Sequence, residues 1–174
     1  MGRQVLGIEQ LADLYLHAAI RLSEDYVSRE TAKVESPFKS IDKDYFIHER
    51  FALVFWIIEK FFADEDGNLI DIIHTLYCEH LGISATDEKL TDEIMFFISR
   101  SKEYSEACQT DIKELKPDSF IWLSSVVGKN IFQKEKPVLD LGIMFRINIE
   151  INGIIRFLGE SIYSKYEIKE SDSL

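Results

Sequence analysis

The chain is short of the residues that bend and interrupt a backbone: 174 residues hold only three prolines and eight glycines, and the glycines are scattered singly. So few turn formers leave little material for strand-and-turn architecture, and helices are the expectation. Isolated glycines also exclude P-loops, dinucleotide fingerprints and nucleophile elbows, all of which need glycines at tight spacing. Cysteine is equally scarce. Cys78 and Cys108 form neither a CxxC pair nor a Cys/His zinc spacing, and no secretory signal opens at Met1-Gly2-Arg3-Gln4, so reduced thiols and a cytoplasmic location are expected. Positive charge is the third shortage. Lys plus Arg number 20 against 31 Asp plus Glu, a net charge of -11, which repels phosphate backbones and anionic lipid and argues against nucleic-acid and membrane-surface partners. Finally, the uncharged run Phe51–Ile58 is bracketed by Glu49-Arg50 and Glu59-Lys60, well short of the roughly 20 apolar residues that a bilayer span needs.

What the chain does have is apolar bulk: 46% hydrophobic and 12% aromatic residues, enough for one domain over residues 1–174 with a substantial core. The stretch 44–64 is the most apolar. At 100° per residue its Phe46, Ile47, Phe51, Val54, Phe55, Ile57, Ile58, Phe61 and Phe62 cover more than half the circumference, which predicts a central helix touched by neighbours on three sides. Ser40 or Asp42 is placed to cap it. The strip left over is Glu49, Ala52, Trp56 and Lys60. The expected class is an all-α bundle of about six helices.

The other five helices follow from spacing. Ile8, Leu11, Ala12, Tyr15, Ala18, Ala19, Leu22 and Tyr26 share one face of the first, with His17 opposite in solvent. Periodicity is then lost from 28 to 41, a stretch containing Pro37, and a long interior loop is expected there. Helix three, about 69–81, carries Leu69, Ile70, Ile73, Leu76, Tyr77, His80 and Leu81 on its apolar side and ends at Gly82. Helix four, opened by Thr86, runs along Leu90, Ile94, Phe97, Ser101, Tyr104 and Cys108. Helix five, capped by Asp118 or Ser119, has Phe120, Leu123, Val127 and Ile131 inside and Trp122 far round the helix. Pro137 suits the first turn of the last helix. There Phe145–Gly153 alternates like a strand ending in Asn-Gly, yet Ile143, Met144, Ile147, Ile151, Ile154, Ile155, Leu158 and Ile162 fit one helical face over a longer span, and helix is preferred. Residues 165–174 should fray.

Chemistry-bearing spacings are few. The acidic turn Asp64–Asn68 resembles a calcium loop in composition, but with Gly67 at the sixth position the first and twelfth fall on Phe62 and Ile73, which cannot ligate. Asp71, His74 and Cys78 share a face, without a fourth ligand or any Glu-x-x-His, and are read as a surface coincidence; no metal or other cofactor is expected. His80 is expected to be buried and neutral. No catalytic residue is assigned.

The functional expectation is therefore an acidic interaction module of the inhibitor, adaptor or antitoxin type. Its partner would be a basic protein or a second copy of the chain, and its surface is assigned to Trp122, Trp56 and Lys60 because tryptophan is enriched at interface hot spots. The alternatives are an apolar-ligand binder with a pocket between helices, and an enzyme using His80, His48, Glu49 or Arg146.

Overall fold

The computed structural model describes residues 3–62, 68–84, 88–108 and 120–168. Among them are six α-helices: α1 (Ile8–Ala32), α2 (Lys43–Phe61), α3 (Asn68–His80), α4 (Glu88–Ala107), α5 (Ile121–Ile131) and α6 (Leu141–Leu158), the last continuing as a π-helical turn over Gly159–Tyr163. The all-α bundle expected from the sequence is the fold. No helix is long and apolar enough to cross a membrane among the described residues. The Asp64–Asp66 carboxylates, Gly67, Thr86, Asp118, Ser119 and residues 169–174 lie outside the described residues.

Helix α2 is the axle. The Asp42 side chain accepts a hydrogen bond from the Tyr45 amide at 2.9 Å and starts it, and from Glu49 to Ile58 every residue is buried. Neighbours close on it from all sides, α1, α3, α4, α5 and α6 included, not on three as the width of the stripe implied. A helix enclosed in this way has no solvent strip, so the leftover residues Glu49, Ala52 and Trp56 are inside as well.

Three local expectations are corrected. Helix α1 runs on to Ala32, so the loop begins at 33 rather than 28. Its last turn shows no apolar period because the inward residue is Glu30, a buried carboxylate bonded to Ser36 and Lys33 and facing Arg146. Pro137 precedes α6 instead of opening it. Residues 137–140 lie along α5, held by Val138 N–H to the Ser125 carbonyl at 3.1 Å and Ser125 Oγ to the Val138 carbonyl at 2.7 Å, and Asp140 caps the helix from Leu141. Part of the expected frayed tail is paired, since Tyr166–Ile168 lies parallel to Gln4–Leu6 as a two-stranded ribbon. Gly82 ends α3 as expected, with φ 71° and Ile83 N–H reaching back to the Cys78 carbonyl.

Candidate functional site

The buried charges come first, because they decide which acidic and basic groups remain free for chemistry. The Glu49 carboxylate takes the Arg100 Nε at 2.8 and 3.1 Å and the Tyr45 hydroxyl at 2.9 Å, with the Tyr104 hydroxyl at 3.5 Å. The Tyr45 hydroxyl lies 2.7 Å from the Asn130 carbonyl as well, so its one hydrogen is shared between two acceptors, and its phenol is pushed up to about 12 by burial and by Glu49. Arg50 donates to Glu150 at 2.8 Å with its guanidinium 4.2 Å from the centre of the Tyr26 ring. These groups pin α2 to α4, α5 and α6. Fully buried and held by the Arg100 guanidinium, the Glu49 carboxylate is engaged in joining helices. Glu59, the other half of a conceivable carboxylate pair, is ten residues farther along the helix and binds Lys60 and Ser101. Arg146 faces Glu30 of α1 rather than Glu150 one turn along its own helix, while Arg156 pairs with Glu160 at 2.9 Å.

Two recesses flank α3. One, of about 530 Å³, is bordered by Glu24, Asp44, His48, Phe51, Tyr77 and His80. His48 stacks on Phe96 at 4.1 Å, with Nδ1 3.3 Å from the Tyr77 hydroxyl and Nε2 3.5 Å from a Glu93 oxygen that makes no aligned hydrogen bond. Burial pushes the His48 pKa down and the Glu93 pKa up, so both are held toward their neutral forms. His80 is exposed at the rim, contrary to the expectation of a buried ring. It is the last residue of α3, one position before the chain turns at Leu81-Gly82, and packing there has ended. The other recess, of about 620 Å³ between α3 and α4, is lined by Asp71, His74, Cys78, Ile83, Leu90 and Ile94 among others. It brings together the Asp71, His74 and Cys78 face, which is not the solvent face the sequence suggested: Cys78 is buried and His74 lies against Phe55 and Phe97 at 5.3 and 5.2 Å. Burial drives the imidazole pKa down and the thiol pKa up.

Of the assigned interaction residues, only Trp122 stands at the surface, 48% exposed. Trp56 is 2% exposed and donates its indole N–H to Ser105 at 3.0 Å, so it is a core residue, enclosed because α4 covers the strip it occupies. Lys60 is half-buried and held by Glu59 at 2.8 Å.

The largest uncovered apolar surface on one helix, among the described residues, lies elsewhere, on α6. Leu141, Phe145, Ile149 and Phe157 are 66, 55, 70 and 41% exposed, with Leu139 just before the helix at 71%. Met144, Ile147, Ile151, Ile154 and Leu158 of the same helix are buried. At 100° per residue Ile149 points away from the core, with Phe145 and Gly153 one turn to either side. The signal for this second stripe was present in the sequence as the strand-like alternation of Phe145–Ile151. Phe145 and Ile149 face out and Ile147 and Ile151 face in, because the helix is apolar on both sides. A smaller patch, Ile94, Met95 and Ile98, is exposed on α4.

Comparison of the chain with protein-family models, with curated proteins and with solved structures finds no match in any of the three.

Proposed function

We propose that the chain is a protein-interaction module whose working surface is the outward face of α6. The observation that carries this reading is the row Leu141, Phe145, Ile149 and Phe157, which leaves large apolar side chains in water on the side of a helix where charged residues ordinarily stand. Trp122, at the surface of the neighbouring α5, is a second candidate anchor. The basic partner suggested by the net charge of -11 suits the rest of the exterior better than this face, where Arg146 is 47% and Arg156 78% exposed. A photo-crosslinking residue at 149, compared with one at the exposed position Lys134, tests the reading in cells that express the chain. A discrete protein adduct from position 149 alone is expected; no adduct, or equal adducts from both positions, would overturn it.

A second reading, a small-molecule site, is favoured by one arrangement: His48, His80 and Tyr77 converge on the 530 Å³ recess with Glu24 and Asp44 at its edge. That volume falls within the usual range for ligand pockets. The His48→Ala variant should abolish any ligand-induced thermal stabilisation seen in a screen of small cationic and aromatic compounds. Glu49 and Arg146, the other residues of the enzyme alternative, are engaged in the ion pairs described above and supply nothing to this recess.

A further inference from the structure

Resting on that reading of α6, we infer that the partner is a second copy of this chain, packed α6 against α6 in antiparallel orientation about a twofold axis at Ile149. The exposed row is self-complementary in size only in that arrangement. Phe145 and Gly153 sit four residues to either side of Ile149, and Leu141 and Phe157 sit eight. A twofold axis through Ile149 therefore sets Phe145 of each copy over Gly153 of the other, with Leu141 and Phe157 of opposite copies closing the two ends. Gly153 is a true gap, since a Cβ built there meets nothing within 4 Å. A parallel pairing would stack Phe145 on Phe145 and leave glycine facing glycine, wedging the helices open at one end.

Charge and area agree with a second copy. The chain carries a net charge of -11, but the exposed charges flanking this row are Asp140, Arg146, Arg156 and Glu160, two of each sign, so two copies meet less repulsion here than the net charge of the whole chain implies. Arg156 of one copy comes beside Gly142 of the other, near the helix start capped by Asp140. With roughly 200 Å² for a fully exposed large apolar side chain, the four side chains present roughly 500 Å² per copy, so pairing removes at most roughly 1,000 Å², the lower limit for a specific interface, reached when Leu141 and Phe157, 80° to either side of Ile149, close over the ends. Leu139, the glycine backbone and the arginine stems add to this. A dimer dissociating in the micromolar range is the consequence.

Sedimentation equilibrium of the full chain tests the pairing, with two sets of variants. Gly153→Leu fills the gap in a position that is open in the single copy and favours helix, so the fold stays intact while dimer dissociation should rise roughly tenfold or more. Combining Gly153→Phe with Phe145→Ala moves the knob to the other side of the axis and should restore dimerisation. Ile149→Cys, next to the axis, should give a disulfide-linked dimer on mild oxidation, whereas Lys134→Cys should not. A wild-type monomer at high micromolar concentration, a Gly153→Leu dimer as tight as wild type, or an Ile149→Cys dimer that oxidation does not link would each overturn the inference. If wild type is monomeric while the crosslinker at 149 still captures a different protein, self-pairing falls and α6 remains an interaction surface. If neither occurs, both fall.

Discussion

Helices α2 and α6 are built from similar material and end in opposite situations. Each has apolar residues around most of its circumference, yet α2 buries even Glu49 and Arg50, whereas α6 exposes Leu141, Phe145 and Ile149. The difference lies in the neighbours. Five helices surround α2, while α6 rests mainly on α5 and more lightly on α1 and α2. An enclosed helix can hold a charge only where another helix brings the counter-charge, as α4 brings Arg100 to Glu49 and α6 brings Glu150 to Arg50. On its outward side α6 meets no other helix among the described residues, and the apolar groups there are left for another surface.

The widest separation between the two regions should come from one substitution made in both. Ile57→Lys places an unpaired ammonium at a position with no exposure and should prevent folding, a loss above about 5 kcal/mol. Ile149→Lys, measured at dilutions where the chain is monomeric, should shift stability by no more than about 0.5 kcal/mol. Urea denaturation of both proteins provides the check; a comparable loss at 149 would mean that the α6 row is covered within the single chain.

Next in size is the Glu49 pair. Glu49→Ala leaves Arg100 with only the longer Glu103 contact at 3.6 Å and should cost about 3 kcal/mol, whereas the double replacement Glu49→Met with Arg100→Met should recover most of the loss. Equal denaturation midpoints for the single and double variants would show that packing volume, rather than the unpaired charge, sets the cost.

The histidines beside α2 give a smaller, pH-dependent effect. Burial lowers the folded-state pKa of both His48 and His74 below the unfolded value of about 6.5. Between those values the unfolded chain binds more protons, so the stability these residues allow is fully present above pH 6.5 and is lost as the pH falls through the folded pKa values. Replacing both with Phe should flatten the slope of stability between pH 7 and 5. Glu93 runs in the other direction: its raised pKa means that its ionisation costs stability as the pH climbs, so Glu93→Gln should gain stability at neutral pH.

The smallest expected effect is at the end of α5, where Gln133 adopts φ 50° to let Lys134 N–H reach the Lys129 carbonyl. A side chain in that conformation is strained, and Gln133→Gly should stabilise the protein by about 0.5–1 kcal/mol, seen as a rise in Tm.

The sequence by itself determined the class of fold and the inward faces of most helices, because an apolar residue every three or four positions has one stable outcome when turn formers are this rare. It also narrowed the cap of α2 to Ser40 or Asp42 and placed the stop of α3 at Gly82, which depend only on near neighbours in the chain. Tertiary structure decided the rest. Trp56 is inside because α4 lies over it, His80 is outside because α3 has ended, and α1 extends to Ala32 because Arg146 and Ser36 await Glu30. The ion pairs Glu49–Arg100 and Arg50–Glu150 join residues 51 and 100 positions apart, and no local pattern encodes which charge will meet which. The bare side of α6 has the same origin: periodicity states that a helix is apolar on two faces, and only the arrangement of the other helices states which face the chain leaves uncovered.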